Sequence, residues 1–253
     1  MMTDLATALR SAKAVFWDLD GTLIDSDPYW VQTERSVLEG HGGVWSEALA
    51  EALQGSSFPT TMRLLHEHGL DDELSDEVAV AQMTAEVLAM EQARMPWVAG
   101  VRELLTELAA AGIPSVLVTG SPRPIVDNVL AHAPAGSFVA SISGDDPVEH
   151  KPSPQPYRAA ARLAGVLPAV SPTAASDAAA SDASVAAVGD AAEMRQCIIF
   201  EDSLPGLTAA RAAGATVVAV SGQARVRVTD DPALRGLYDY TISDYRDIRL
   251  SDR

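Results

Sequence analysis

Six short apolar runs punctuate this chain, and each is continuous where a half-wet strand would alternate. They are Ala14–Trp17, Ser115–Thr119, Phe138–Ser143, Cys197–Phe200, Thr216–Val220 and Tyr240–Ile242. A strand with no polar alternation has to be covered on both faces. Between the later runs lie Val101–Ala111, Pro124–His132, Gln155–Ala164 and Pro205–Ala213, whose apolar residues recur at the three- and four-residue spacing of a helix. Strands alternating with helices build a parallel sheet with helices on both sides, so an α/β, Rossmann-like core is expected. In such a sheet ligands bind beyond the carboxyl ends of the strands.

The stretch from Asp27 to Met95 breaks this rhythm. It holds no convincing strand, and Gln32–Glu39, Glu47–Leu53, Pro59–His68 and Glu77–Gln92 read as helices, with turns at Gly40–Gly43, Gly55–Pro59 and Leu70–Asp76. Residues 27–95 are therefore expected to form an inserted α-helical cap domain, and residues 1–26 and 96–253 the core. Within the core, residues 168–196 are alanine-rich, with no aromatic and the near-repeat of Ala, Ser and Asp at Ala175–Ser184. Such a segment buries little apolar surface and is expected to be a low-complexity surface loop insertion.

Charge narrows the partners. Asp and Glu number 35 against 18 Lys and Arg, a formal net charge of -17, which argues against nucleic acid or an anionic membrane as partner. Nothing reaches the roughly 18 consecutive apolar residues of a membrane span, and Met1–Lys13 lacks the basic start and apolar run of a signal peptide. A soluble, cytoplasmic monomer is the expectation. The single cysteine, Cys197, forbids an intramolecular disulfide and reads as a small core residue. Only two residues are lysine, Lys13 and Lys151, so each needs a reason.

The first apolar run ends in Asp18-Leu19-Asp20-Gly21-Thr22. Two carboxylates where a buried strand meets a glycine turn are costly unless a cation or a proton transfer requires them. Later in the chain stand Ser115-Val-Leu-Val-Thr119-Gly120-Ser121, then His150-Lys151-Pro152-Ser153-Pro154. Ile198-Ile-Phe-Glu201-Asp202-Ser203-Leu-Pro-Gly206 follows. Each lies at or just beyond the carboxyl end of an expected strand. In this order the four segments resemble the motifs of the haloacid dehalogenase-like hydrolase superfamily, mostly phosphatases with an aspartate nucleophile, and the likeness covers essentially the whole core.

That resemblance implies a Mg²⁺-dependent phosphatase acting on a small-molecule phosphate ester through an aspartyl-phosphate on Asp18. It implies Mg²⁺ ligands from Asp18, the backbone carbonyl of Asp20 and Asp202, with Glu201 acting through water or from behind the ligands. Asp20 would be general acid and base, and Lys151 would offset the charge on phosphate and nucleophile. Thr119, Gly120, Ser121 and Lys151 would bind the phosphoryl group. The position of the helical insertion resembles the helical-cap branch, with sugar-phosphate phosphatases and β-phosphoglucomutases, and makes a sugar or polyol phosphate the expected substrate.

Other members of that branch fit less well. A phosphonatase needs a cap lysine, and none stands between Asp27 and Met95; a dehalogenase has no use for Asp20. A β-phosphoglucomutase-like mutase is the alternative enzyme, with Trp30 about where its cap histidine is expected and Arg63 as the substitute for its cap arginine. The non-enzyme alternative is a catalytically silent regulatory protein, against which stands the presence of Asp18, Asp20, Thr119, Lys151 and Asp202. Tyr29, Trp30 and residues around Ser56–Thr61 are candidates to shape the pocket, packing being the competing role for Trp30 and Trp45. His66 and His68, two apart on a helix, point away from each other and are expected at the surface.

Overall fold

The computed structural model describes residues 2–169, 190–223 and 228–250, so most of the alanine-rich stretch expected to be a loop lies outside the described residues. Six strands, β1 Ala14–Trp17, β2 Ser115–Val118, β3 Ala140–Ile142, β4 Cys197–Glu201, β5 Thr216–Val220 and β6 Tyr240–Ile242, form one sheet. All neighbours are parallel, in the order β3-β2-β1-β4-β5-β6, with Val15 registered against Ser115 on one side and Ile198 on the other. The order reverses between β1 and β4, and a crevice opens at the carboxyl ends of strands at such a point. The chain is an α/β protein of the expected class.

Side-chain alternation along β1 feeds two apolar layers. Val15 and Trp17 point into one, with Leu117, Phe200 and Val218, and Ala14 and Phe16 into the other, with Val116, Ile199 and Val217. The Trp17 and Phe200 rings stack at 4.4 Å, and Tyr245 meets Phe200 edge-on at 5.4 Å, which locks β1 to β4. Two expected strands are trimmed. Thr119 has left β2, although its N–H still donates to the Ile142 carbonyl at 3.0 Å, and Phe138 and Val139 precede β3. An opening helix, α1 (Met2–Arg10), has no counterpart in the sequence reading.

Among the described residues between Asp27 and Ala93 there is no strand. The segment forms α2 (Asp27–Gly40), α3 (Glu47–Leu53), α4 (Phe58–Glu67) and α5 (Asp76–Ala93). Three of these begin before the apolar periodicity does, because Pro28 and Pro59 occupy first-turn positions and Ser75 caps α5 by accepting from the Val78 N–H. They close round an apolar cluster of their own, including Val37, Leu38, Leu49, Met62, Leu65 and Met83. Core helices follow as α6 (Val101–Ala110), α7 (Arg123–His132), α8 (Gln155–Leu163) and α9 (Leu204–Ala213).

Helices α5 and α7 meet at a polar contact inside apolar surroundings. Asn128 Nδ2 donates to Glu91 Oε2 at 3.0 Å, while Glu91 Oε1 is buried without a hydrogen-bond partner. Burial, and then the charge of Asp20, pushes the Glu91 carboxyl up to about 8. The native state therefore binds more protons than the unfolded chain between about pH 4.5 and 8, and stability falls as pH rises through that window. Glu91→Gln keeps an acceptor for Asn128 and cannot ionise. Its melting temperature is expected to exceed the parent's at pH 8 by at least roughly 2–4 °C, the equivalent of about 1 kcal/mol in a chain of this size. Near pH 5 the gap should close, and a gap equal at both pH values would overturn the assignment.

Candidate active site

The carboxyl ends of β1 and β4 place three acids together. The Asp18 N–H donates to the Phe200 carbonyl at 3.0 Å, so the residue leaves β1 still tied to β4. Oxygens of Asp18, Glu201 and Asp202 lie within 4.8 Å of one another, and all three residues are buried. The turn after Asp18 explains two neighbours. Gly21 has φ +77° and any side chain there would run into the Asp202 carboxylate, while Thr22 Oγ1 donates to Asp202 Oδ1 at 3.2 Å.

Lys151 enters from the loop before α8. Its Nζ donates to Asp18 Oδ1 at 2.5 Å, Glu201 Oε1 at 2.6 Å and the Val118 carbonyl at 3.0 Å, and it sits 5.3 Å above the centre of the Tyr157 ring. Burial works against the ammonium, but Asp18 and Glu201 outweigh it and hold its pKa above the ordinary lysine value. Lys13, the other lysine, pairs with Glu193 at the surface.

Glu201 is saturated. Oε1 accepts from Lys151 and from the Tyr157 hydroxyl at 2.7 Å. Oε2 accepts from the N–H groups of Asp202 at 3.1 Å and Ser203 at 3.3 Å and from Ser203 Oγ at 3.2 Å. Ser203 Oγ also caps α9 by accepting from the Gly206 N–H at 3.2 Å. Gly206 has to be glycine for space, since a Cβ there would overlap the Glu201 carboxylate.

The Asp20 carboxylate stands outside this cluster. Oδ1 accepts from Ser26 Oγ at 2.5 Å and Trp30 Nε1 at 2.7 Å, and Oδ2 from Ser121 Oγ at 2.5 Å. Of Asp20's expected two roles, its carboxylate is thus turned from the acidic cluster toward a cavity of about 130 Å³. Thr119, Gly120 and Ser121 line the same cavity, and the Ser121 N–H donates to Thr119 Oγ1 at 3.0 Å. Its far wall comes from the helical segment: Asp27, Trp30, Val31 and Glu34 of α2, Leu53 of α3, and Gln54 to Phe58 with Thr61.

Three buried carboxylates facing one ammonium leave a local excess of negative charge. Burial and then Glu201 push the Asp18 carboxyl up, and burial and then Asp18 do the same to Asp202. A divalent cation favours oxygen donors and reverses such shifts, so the donor set suits Mg²⁺.

Other residues singled out in the sequence lie elsewhere. Arg63 pairs with Glu67 at 2.6 Å on the exposed side of α4 and does not reach the cavity. His66 pairs with Asp76 and His68 is exposed, as expected of surface histidines; Cys197 is a buried free thiol. Trp45 packs on the cluster of the helical segment. Trp30 packs against both that cluster and the core while its N–H serves Asp20, so packing and site roles coexist. Tyr157, Ser26, Ser203 and Glu34 were missed, each lying outside any motif or in a position with several common explanations.

A model of the haloacid dehalogenase-like hydrolases matches residues 12–214. The chain belongs to that family. Relatives of this haloacid dehalogenase-like hydrolase include Protein CbbY of Rhodobacter capsulatus, 28% identical, with 81% of this chain and 84% of the relative covered. Hexitol phosphatase A of Escherichia coli is 26% identical, with 84% of each chain covered. In fold it is similar to a β-phosphoglucomutase from Clostridium difficile, with a TM-score of 0.70, 18% identity and 94% of each chain covered.

The contact between Gly206 and Glu201 can be tested directly in this hydrolase. Gly206→Ala should lower stability by about 1–3 kcal/mol, the usual cost of overpacking. Gly40→Ala, where a Cβ meets open space, should leave the melting temperature level or slightly raised. Equal melting temperatures for the two variants would show that the glycine is not required by the carboxylate.

Proposed function

We propose that this hydrolase is a Mg²⁺-dependent phosphatase of a small sugar or polyol phosphate, working through an aspartyl-phosphate on Asp18. What carries the reading is the juxtaposition of Asp18, Glu201, Asp202 and Lys151 beside the separately held Asp20, at the reversal of strand order. The name of the hexitol phosphatase relative supports the substrate class.

The metal would be held by Asp18, Asp202 and the backbone carbonyl of Asp20, and would neutralise the ester's charge so that an anionic nucleophile can approach. Asp18 attacks phosphorus, an Asp18 oxygen–phosphorus bond forms and the ester oxygen–phosphorus bond breaks. The departing oxygen takes its proton from Asp20. Water then attacks the same phosphorus and gives a proton to Asp20, which releases inorganic phosphate and restores both acids. Lys151 offsets charge on Asp18 throughout, and Glu201 keeps Lys151 in place. Thr119 Oγ1 and the N–H groups that follow it receive phosphoryl oxygens. Residues 27–95 act as a cap domain that closes over the substrate and excludes water. Ser26 and Trp30 orient Asp20 toward the leaving oxygen.

Hydrolysis is favoured over a mutase reaction because no arginine and no lysine other than Lys151 lines the cavity among the described residues, so no second arginine or lysine is placed to grip another phosphate. Asp18→Asn should reduce Mg²⁺-dependent phosphate release by at least about 10³-fold while the far-UV circular dichroism stays that of the folded parent. Retention of most activity would sink the nucleophile assignment, and conversion of β-glucose 1-phosphate without phosphate release would favour the mutase. Trp30→Phe keeps the packing but deletes the donor to Asp20. It is expected to lower kcat for a poor leaving group such as a polyol more than for p-nitrophenol, which leaves without protonation. An equal effect on both would separate Trp30 from the acid.

A further inference from the structure

We infer that Glu34 is the specificity-determining residue of this cavity, hydrogen-bonding hydroxyl groups of an uncharged leaving group, and that the site disfavours esters carrying a second anion. The inference rests on the phosphatase reading and extends it to the part of the substrate that departs.

Glu34 lies one helical turn beyond Trp30, on the stripe of α2 that also presents Asp27 and Val31 to the cavity. It is 7% exposed, lines the cavity and has no hydrogen-bond or ion-pair partner among the described residues. Its carboxyl oxygens are not sealed off from the cavity, so a ligand hydroxyl there can hydrogen-bond them. Burial, and then the charges of Asp27 and Asp20, push its pKa up to about 8. At neutral pH it is therefore mostly protonated and offers both a donor and an acceptor, which a hydroxyl matches.

The remainder of the wall points the same way. The single lysine lining the cavity, Lys151, already donates to Asp18, Glu201 and the Val118 carbonyl. A carboxylate or second phosphate on the leaving group would lie beside the Asp27 carboxylate with no arginine and no unengaged lysine to pair with, a repulsive element that disfavours such esters. Leu53 and Phe58 supply apolar surface against the carbon chain of a polyol.

The test measures phosphate release with Mg²⁺ from sorbitol 6-phosphate, phosphoglycolate, O-phosphoethanolamine and p-nitrophenyl phosphate. The parent should favour sorbitol 6-phosphate over phosphoglycolate by about 100-fold or more in kcat/KM, the scale on which unpaired polar groups discriminate. Glu34→Leu should cut the sorbitol-to-nitrophenyl kcat/KM ratio about tenfold, mainly through the KM of the sorbitol ester, the equivalent of one hydrogen bond. Glu34→Gln keeps a donor and an acceptor and should hold the ratio within about threefold. Glu34→Leu should also melt no lower than the parent, a readout independent of turnover; Glu34→Met serves if the leucine variant does not fold. An unchanged ratio in both apolar variants, or a parent preference for phosphoglycolate or O-phosphoethanolamine, overturns the inference while leaving the phosphatase reading intact. No phosphate release by the parent from any ester overturns both.

Discussion

The structure is organised around an unbalanced group of buried charges. Asp18, Glu201 and Asp202 meet Lys151 at the edge where β1 and β4 run side by side. Charges removed from water are tolerated only when paired and hydrogen-bonded, and breaking such a pair typically costs about 3–5 kcal/mol. The surrounding elements meet that demand: Ser203, the cap of α9, and Asp202 before it direct N–H groups at Glu201, and Tyr157 reaches it from α8. Adjacent placement of β1 and β4, fastened by the Trp17–Phe200 stack, is the condition for all of it.

The acids are not equivalent within that group. Five hydrogen bonds reach Glu201, two on Oε1 and three on Oε2, so its lone pairs are occupied. It serves best as an anchor for Lys151, with Asp18 and Asp202 left as the acids with oxygens to offer a cation. The same saturation gives Gly206 its meaning, because the anchor occupies the space where a side chain would project. Asp20 has donors of its own, two of them from residues in or next to α2. The proposed nucleophile and proton carrier thus sit two residues apart in distinct environments, one ringed by charge and the other by neutral donors. That difference would let two aspartates do different work.

Much of this was legible in the sequence, for identifiable reasons. Continuous apolar strands demand cover on both faces, so the parallel core could be read directly, and the likeness to four family motifs singled out Asp18, Asp202 and Lys151, which the structure brings together. The helical nature of residues 27–95 was legible too, and the start of α4 was read to within one residue, though the start of α2 was hidden because Pro28 initiates the helix before any apolar period is visible. The tertiary partners were not legible. Tyr157 sits on an ordinary amphipathic helix whose contact with Glu201 spans 44 residues. Glu34 reads as any helical glutamate until α2 is seen to face the cavity, and Trp30 looks like packing, which is half of its role. Arg63 shows the converse, a cation offered by its position in sequence that the helix turns toward solvent.

An acidic chain that takes an anionic substrate has to resolve where the anion can go. At one end of the cavity the backbone N–H groups after Thr119 and the demand for a cation between Asp18 and Asp202 favour phosphate. At the other end Asp27 and Glu34 offer no positive charge, and the net charge of -17 adds no general attraction. Under the proposed reading, one orientation of a phosphate ester satisfies both ends, with phosphorus against Asp18 and the leaving group against α2. The acidic side chain of Asp27 at the helical wall would then take part in substrate orientation: it would cost affinity for anions in general and direct the phosphoryl group to the far end of the cavity.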